Sequence, residues 1–145
     1  MEGPIEIFTT SNRPREYALA MQILTNNLPT EEMRRTARYL LNNPNNPKRT
    51  WALSCGSEII GASVCDKITA KRAYLEFLLL LPDYRKAGLG RRFLSEIEDN
   101  QRSRGVKEIE ADTSEDITTK WMIHHGYKVV EVVDGSYNHL KTLYS

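Results

Sequence analysis

One stretch near the middle of the chain constrains the fold more than any other, because a strand leads through a basic, glycine-containing turn directly into a helix. Ala73 to Leu81 is almost continuously apolar, which predicts a central strand covered on both faces. Pro82 stops this strand, and apolar residues recur at helical spacing from Gly88 to Arg104. Val106 to Asp112 is again strand-like. The order strand, helix, strand favours a parallel pair with a right-handed crossover.

The remaining elements follow from shorter patterns on either side of this unit. Alternation of apolar and polar residues predicts strands, and apolar residues at helical spacing predict helices. Turn residues and capping residues predict where these elements end. The predicted elements are a strand at Ile5–Thr10, helices from Glu16 to Leu28 and after the N-cap Thr30, an exposed loop at Asn42–Pro47, a hairpin of Thr50–Cys55 and Ile59–Ile68, a helix opened by a capping box at Thr113–Asp116 and ended by Gly126, and closing strands at Tyr127–Val133 and His139–Tyr144 around Asp134-Gly135.

Size and composition indicate one domain over residues 1–145. The order of the predicted elements indicates an α/β fold with a mixed sheet and helices on both faces. The chain has 40% hydrophobic and 27% charged residues. A chain of this length buries roughly two thirds of its unfolded surface, so its core needs no disulfide. Hairpin pairing would place Cys55 near Ile60 and Cys65 near Thr50. We therefore expect two buried thiols that do not pair with each other.

Charge and hydropathy exclude several functional classes. Lys and Arg total 20 against 19 Asp and Glu, so no global field predicts a nucleic acid or an anionic membrane as partner. The longest apolar stretch, Tyr74 to Leu81, is far shorter than the roughly 20 residues of a membrane span. The first residues lack the features of a secretory signal, which predicts a cytoplasmic protein. The absence of CxxC and His/Cys clusters predicts no metal site.

The turn after the central strand concentrates positive charge in an otherwise balanced chain. Four cations and no acid lie between Arg85 and Arg92. Gly88 and Gly90 would let a ligand approach the backbone, and the first N–H groups of a helix attract phosphate. The turn therefore predicts a polyphosphate site. The Gly-x-Gly pair alone is equally typical of an ordinary turn with a solvated basic face.

The complete string is more specific than its glycines. Arg85-Lys86-Ala87-Gly88-Leu89-Gly90 resembles the R/Q-x-x-G-x-G/A signature of the GNAT superfamily of N-acetyltransferases. The predicted element order is similar to that family over nearly the whole chain. This resemblance implies a mostly antiparallel sheet of six to seven strands, with one central parallel pair.

The same resemblance implies acetyl-coenzyme A as the co-substrate. Its pyrophosphate would be held by backbone N–H groups from Lys86 through Arg91, and its pantetheine arm would pair like an extra strand with the backbone of the central strand. The implied coenzyme-binding residues are Leu78, Leu79, Leu80, Arg85, Lys86, Ala87, Gly88, Leu89, Gly90 and Arg91.

Glu76 is the candidate catalytic residue, because it is the only charge within the central strand run. A partly desolvated carboxylate would have a raised pKa and could accept a proton from an amine. By the resemblance, Glu76 also occupies a position where members of the family often carry a general base. The alternative is that Glu76 simply points to solvent or forms a salt bridge.

The predicted helix after Thr113 departs from the family pattern at two positions. Met122 stands where the family usually has a tyrosine acid, and methionine cannot donate a proton. Glu115 falls where many members have an asparagine that contacts the coenzyme. Another group could protonate the leaving sulfur, or the thiolate could leave unassisted. The candidate donors are Tyr127, Tyr137, His124 and His125.

The resemblance implies direct transfer of an acetyl group, in a ternary complex, to a primary amine of a small molecule, a peptide N-terminus or a lysine. The rival within the same fold is a non-catalytic coenzyme-binding or regulatory module, which Met122 favours. A dinucleotide-binding oxidoreductase would explain Gly88-Leu89-Gly90 and Asp112, but Phe93 occupies its third glycine position. Edge strands could also pair between two copies as a homodimer.

Overall fold

The computed structural model describes residues 3–85 and 88–143, except the side chains of residues 116 and 117. Over these residues the elements follow the predicted order of strand, two helices, three strands, helix, strand, helix and two strands. Short 3₁₀ turns occupy Asn46–Lys48 and Pro82–Tyr84. The elements are β1 Ile5–Thr9, α1 Pro14–Asn27, α2 Glu31–Leu41, β2 Thr50–Cys55, β3 Glu58–Lys67, β4 Arg72–Leu80, α3 Leu89–Ser103, β5 Glu108–Thr113, α4 Asp116–His124, β6 Lys128–Val133 and β7 Ser136–Thr142.

The sheet is mixed and mostly antiparallel, as predicted. Its strand order is β1-β2-β3-β4-β5-β7-β6. β4 and β5 run parallel, and their register extends from Arg72 opposite Glu108 to Leu75 opposite Ala111. The pairs β1–β2, β2–β3, β5–β7 and β6–β7 are antiparallel. None of the described helices is at once long and apolar enough to cross a membrane.

Contacts within the chain group it into two compact units. The first unit comprises Met1–Cys65 and Phe77–Glu96. Its core joins α1 and α2 to the sheet, because the apolar stripes of both helices meet small and β-branched residues of β2 and β3. Thr30 begins α2 as predicted, and its side chain accepts a hydrogen bond from the Met33 N–H at 3.1 Å. The buried cluster includes Ala20, Met21, Leu24, Ala37, Ala52, Ala62, Val64 and Phe77.

The second unit comprises Asp66–Glu76 and Ile97–Ser145. Burial alternates along β5, so Ile109 and Ala111 face the core while the intervening acidic residues do not. The β6–β7 hairpin turns at Asp134-Gly135, as predicted, with φ of 48° and 77° at the two residues. Positive φ at both central positions defines the two-residue hairpin turn that suits the twist of its strands.

The predicted capping box at Thr113–Asp116 is wrong. Thr113 is the last residue of β5, and its buried hydroxyl lies 2.6 Å from Thr119 Oγ1 and 2.7 Å from His139 Nε2. The cap position before α4 is Glu115, which forms no capping hydrogen bond through its side chain. The hydroxyl contacts one side chain within α4 and one in β7 and does not cap the helix, a competition that local spacing does not reveal.

Two expectations about burial are also wrong. The two faces of the first half of β4 are covered unequally, since Ala73 and Leu75 are fully buried while Tyr74 and Glu76 are only half-buried. The segment Asn42–Pro47 is not all exposed loop, because Asn46 is fully buried and donates to the hydroxyl of Tyr17 at 2.9 Å.

One predicted strand pairing and one predicted strand boundary differ from the structure by a few residues. A bulge between Leu53 and Ser54 places Cys55 opposite Glu58 rather than near Ile60. Both cysteines are buried and not joined in a disulfide, as expected. β7 begins at Ser136, three residues before the predicted start at His139.

Candidate active site

The strand-to-helix turn of the first unit, residues 81–90, is anchored to the end of β4. The Leu81 N–H donates to the Ile60 carbonyl at 2.9 Å, which ties the start of the turn to β3. The 3₁₀ turn Pro82–Tyr84 follows, and Arg85 Nε donates back to the carbonyl of Leu80 at 2.9 Å. The turn therefore has a fixed entry, with the Arg85 guanidinium held at the strand end.

Gly88 provides the backbone conformation from which α3 begins. Its φ is +72°, and among the described residues no heavy atom outside its chain neighbours lies within 4 Å of the position that a Cβ would take. Its carbonyl accepts the first hydrogen bond of the helix, from the Arg92 N–H at 3.2 Å. The first N–H groups of α3, from Leu89 onward, have no acceptor within the helix. Open space and positively polarised N–H groups together suit an anion.

Side chains at the start of α3 divide between core and solvent. Leu89 and Phe93 are buried and hold the first turn of the helix in place. Arg91 and Arg92 are exposed, and Gly90 is half-buried. This division keeps two cations beside the free N–H groups of the helix, which is favourable for a polyphosphate ligand.

The other predicted coenzyme-binding residues lie along the same part of the chain. Leu80 is buried, whereas Leu78 and Leu79 are half-buried near the end of β4. Lys86 and Ala87 lie outside the described residues. The described ones lie in the last residues of β4, at Arg85 and in the first turn of α3, on either side of residues 86 and 87.

The second unit has a polar sheet face, which we call the carboxylate face: Tyr74, Glu76, Glu108, Glu110, Asp112 and Asn138. Strand register brings these residues together, since directly paired residues project to the same side of a sheet. Tyr74 of β4 lies opposite Glu110 of β5, and Asp112 of β5 lies opposite Asn138 of β7. Three strands, remote in sequence, therefore supply one face.

Hydrogen bonds order the carboxylate face. The Tyr74 hydroxyl donates to Asp112 Oδ2 at 2.6 Å, and the Asn138 amide donates to Asp112 Oδ1 at 2.9 Å. The same amide donates to Glu110 Oε2 at 3.0 Å. Arg72 extends the array and donates to Glu108 at 3.0 Å. Both oxygens of Asp112 thus accept hydrogen bonds from neutral donors.

Glu76 is a half-buried residue of β4 and belongs to the carboxylate face. Burial raises the pKa of its carboxyl, and the negative charge of Asp112 raises it further. Burial raises the pKa of Tyr74 as well, followed by its hydrogen bond to Asp112, so the phenol stays neutral. A glutamate with a raised pKa is a better proton acceptor than an ordinary surface carboxylate.

A pocket of about 630 Å³ opens beside the carboxylate face within the second unit. Arg72, Glu110, Asp112 and Asn138 contribute to its walls, together with the hairpin that joins β6 to β7. Its polar lining gives a small polar molecule several hydrogen-bonding partners.

Comparison with known proteins agrees with this geometry. The family model of the acetyltransferase (GNAT) family matches residues 14–135, which is most of the chain. The chain belongs to this family. No curated protein matches it.

Solved structures share the fold of this GNAT chain. An acetyltransferase from Streptococcus agalactiae 2603 is 21% identical, with 96% of this chain and 98% of that chain covered and a TM-score of 0.77. The PaiA N-acetyltransferase from Thermoplasma acidophilum, in complex with coenzyme A, is 20% identical, with 96% and 99% covered and a TM-score of 0.74.

A larger relative has the same fold over only part of its length. N-acetylglutamate synthase from Neisseria gonorrhoeae, complexed with coenzyme A and N-acetyl-glutamate, is 16% identical with a TM-score of 0.70. The alignment covers 100% of this chain and only 36% of the synthase chain. This GNAT chain therefore spans about a third of the synthase.

Met122, which stands at the family's usual donor position, and the proposed proton donors of this GNAT chain occupy very different surroundings. Met122 is buried in α4, at 3% exposure. Tyr127 is fully buried, and its hydroxyl donates to Glu98 at 2.8 Å. Lys141 also donates to Glu98, at 3.0 Å. The phenol of Tyr127 is thus enclosed in a buried ion-pair network, which favours a structural role over contact with substrate.

The remaining donors lie nearer to solvent. His124 is exposed at the end of α4, and the ring of His125 lies 4.2 Å from that of Trp121. Tyr137 is half-buried in β7, opposite Thr113. Accessible titratable groups therefore exist near the end of α4 and in β7.

Sequence reasoning missed two polar members of the carboxylate face as parts of an acetyl-transfer site, Tyr74 and Asp112. The alternation of Glu108, Glu110 and Asp112 with apolar residues was a usable signal, because it predicts that all three acids share one face of a strand. The partners of that face on β4 and β7 depend on register, which a single sequence does not provide.

Proposed function

We propose that this GNAT chain is an N-acetyltransferase that moves the acetyl group of acetyl-coenzyme A directly to a primary amine, within a ternary complex. The observation that carries the proposal is the left-handed Gly88 immediately before the N-terminus of α3, with open space beside it as far as the described residues extend. Such a turn accommodates a bulky anion against backbone donors.

The residues of the turn fit the diphosphate of the coenzyme. Gly88 leaves room for it, and the N–H groups of Leu89, Gly90 and Arg91 point along the helix axis toward it. The cation of Arg85 lies at the strand end. In this proposal Lys86 and Ala87 contribute backbone contacts to the same anion, as in the family pattern.

The end of β4 suits the extended arm of the coenzyme. The register between β4 and β5 has its last described pair at Leu75, although β4 continues to Leu80. In the proposal, the backbone of Leu78, Leu79 and Leu80 pairs with the amides of the pantetheine arm, as a ligand adds to a strand. The leucine side chains exclude water from the reacting group.

Glu76 is the general base of the proposed reaction. Acetyl-coenzyme A supplies a thioester, whose C–S bond breaks as the amine nitrogen bonds to the carbonyl carbon. Glu76 accepts the proton that the amine must lose, directly or through a water. Its raised pKa brings the carboxylate nearer to the working pH, where a base is most effective. Tyr74 and Asn138 hold the neighbouring Asp112 in place.

The leaving sulfur needs no dedicated acid in this proposal. Met122 offers no proton, and the enclosed hydroxyl of Tyr127 is committed to Glu98. A thiol with a pKa of about 8.5 is a tolerable leaving group as its thiolate. His124, His125 and Tyr137 remain candidates for protonating it after departure.

The acceptor in this proposal is a primary amine of a small molecule, a peptide N-terminus or a lysine. The pocket beside Asp112 supports an amine, since carboxylates outnumber the single arginine in its lining. Acidic surroundings attract an ammonium ion before it loses its proton.

A non-catalytic coenzyme-binding module is the second candidate, and Met122 is the observation that favours it. Without the family's usual proton donor, the turn could bind coenzyme while no acetyl transfer follows. Such a module would bind coenzyme A as well as the enzyme does, but would not release it from acetyl-coenzyme A in the presence of amines.

Glu76→Gln tests the proposed catalytic role. We expect kcat for release of free coenzyme A, measured against a panel of amines, to fall by about 10²- to 10⁴-fold. The Kd for coenzyme A, measured by calorimetry, should not change. Glu6→Gln is the matched control, because Glu6 is an exposed strand glutamate of β1. Equal turnover in Glu76→Gln and wild type would contradict the role of Glu76, and no turnover with any amine would favour the binding module.

A further inference from the structure

The pocket beside the carboxylate face extends from β5 across the sheet to β6. Asp112 of β5 lies opposite Asn138 of β7, and Asn138 lies opposite Glu131 of β6. Directly paired residues project to the same side of a sheet, so these three residues form one row. Glu131 lines the pocket, as does Asp134 in the turn after β6. The pocket therefore has a second acidic end, away from Asp112.

The nitrogen donors in the pocket walls are already committed to acids of the fold. Arg72 pairs with Glu108 at 3.0 Å and with Glu110 at 3.5 Å. The amide of Asn138 donates to Glu110 at 3.0 Å and to Asp112 at 2.9 Å. An amide nitrogen has two N–H groups, so these two bonds use both. What this part of the lining offers to a ligand is mainly hydrogen-bond acceptors.

The carboxylates at the β6 end are not committed in this way. Glu131 and Asp134 are exposed, and neither side chain has a hydrogen-bond or ion-pair partner among the described residues. A ligand that satisfies both must carry N–H donors and positive charge. An acceptor with a carboxylate of its own would instead meet like charges there, which is unfavourable.

The β6 end lies too far from Glu76 for one ammonium group to reach both. Leu75 pairs with Ala111, so the next residues along the two parallel strands, Glu76 and Asp112, are neighbours. Adjacent strands are about 4.8 Å apart, which puts the backbone of Glu131 about 10 Å from that of Asp112 and about 14 Å from that of Glu76. A ligand that uses both ends therefore needs two separate cationic groups.

We propose that the acceptor is a small linear diamine or polyamine, whose near nitrogen is acetylated at Glu76 while a second ammonium binds Glu131 and Asp134. This inference rests on the acetyl transfer proposed above. Val130 and Val133 also line the pocket and give the carbon chain between the two nitrogens an apolar contact.

The transfer changes only the near end of the acceptor. Its neutral amine bonds through nitrogen to the thioester carbonyl carbon, and the C–S bond breaks with its electron pair on sulfur. Glu76 accepts the proton that the new amide sheds. The far ammonium keeps its proton and its ion pairs throughout, so the product is a monoacetylated amine with that positive charge retained.

Turnover with a matched series of amines tests the proposal. The probes are straight-chain α,ω-diamines of two to ten carbons and monoamines of the same carbon numbers, assayed by release of free coenzyme A from acetyl-coenzyme A. Each bond of an extended chain adds about 1.2 Å, so eight to ten carbons place the nitrogens about 11 to 13 Å apart. We expect the kcat/KM ratio of diamine to monoamine to reach about tenfold at these lengths. For two carbons it should stay near the statistical factor of about two, since only one ammonium then lies in the pocket.

Glu131→Gln tests whether the β6 end produces this ratio, because it removes the charge and keeps the shape. We expect the ratio for the ten-carbon pair to fall about fivefold. The ratio is taken within each variant, so a general loss of activity cancels. Glu6→Gln is the matched control, since Glu6 is an exposed strand glutamate of β1, and it should keep the wild-type ratio. A wild-type ratio in Glu131→Gln would overturn the proposed site.

Asp134→Asn is a second variant, which remains informative if Glu131→Gln folds poorly. Asparagine tolerates the φ of 48° at this position, so the hairpin turn is kept while the charge is lost. We expect the same ratio to fall several-fold. Circular dichroism and an unchanged Kd for coenzyme A establish that each variant is folded.

Ionic strength gives a readout that needs no variant. Added salt screens charges at exposed carboxylates, so the ratio for long diamines should fall toward that for the two-carbon pair. Turnover of monoamines with no gain from a second ammonium at any length would overturn this inference and leave the acetyl transfer intact. No release with any amine would overturn the acetyl transfer as well.

Discussion

The strand-to-helix turn of the first unit and the carboxylate face of the second are built from different parts of the chain. The turn presents backbone: a left-handed glycine, the first N–H groups of α3 and space beside them. The carboxylate face presents side chains from β4, β5 and β7 that hydrogen-bond one another. A backbone site needs only a short segment with the right conformation, whereas a side-chain site needs several segments in register.

This difference determines what a substitution should do in each region. A changed backbone angle in the turn should alter ligand binding, while a changed side chain on the carboxylate face should alter proton transfer. Coenzyme affinity and turnover are separate measurements, so the two regions can be tested independently.

The largest effect expected in the turn comes from Gly88→Val. A side chain at a φ of +72° costs about 1–2 kcal/mol in strain, and it also fills the space proposed for the diphosphate. We expect the Kd for coenzyme A in calorimetry to rise about 10- to 100-fold. Gly105→Val is the matched control, because Gly105 has a φ of +87° and equally open surroundings after α3. An equal loss of affinity in both variants would show that strain alone explains the result.

On the carboxylate face, Tyr74→Phe should produce a smaller effect. It removes the hydroxyl that donates to Asp112 at 2.6 Å and so loosens the carboxylate that neighbours Glu76 electrostatically. We expect kcat to fall several-fold, which corresponds to a hydrogen bond worth about 1 kcal/mol. The Kd for coenzyme A should not change. Tyr39→Phe on the exposed face of α2 is the control, and a fall in kcat there of equal size would contradict the positioning role.

Asp112→Asn should shift the pH dependence of the reaction. Asp112 raises the pKa of Glu76, after the larger contribution of burial, so removal of its charge should lower that pKa. Because a base must be deprotonated, the acidic limb of kcat/KM should then move to lower pH. The pH–rate profile of Asp99→Asn, an exposed change on α3, should match that of wild type. If the acidic limb of kcat/KM stays in place or moves to higher pH, the group that titrates in this limb is not Glu76.

The smallest effect expected is on stability, again at Glu76. Its native pKa is raised, so the native state binds this proton more tightly than the unfolded chain does. The wild type therefore loses stability as pH rises from the ordinary glutamate pKa through the native one, whereas Glu76→Gln does not. In urea unfolding, the variant should gain stability relative to wild type across that window. A difference that is constant with pH would contradict a raised native pKa.

Local patterns predicted most elements because their signals are confined to a few neighbouring residues. The stop at Pro82, the apolar spacing of α3 and the Asp134-Gly135 turn all depend on short-range geometry. Thr113 shows where such patterns fail. Its spacing is typical of a capping box, but its hydroxyl lies beside Thr119 and His139, the latter 26 residues away in the chain.

The sequence by itself determined the element order, the glycine-containing basic turn and the single charge within the apolar run Ala73–Leu81, since each is a property of adjacent residues. Only the tertiary structure decided that Tyr74, Asp112 and Asn138 meet, that Glu76 is half-buried, and that β6 lies at the edge of the sheet. The physical reason is that pairing register and burial arise from contacts between distant segments, whose free energies are not encoded in any one of them.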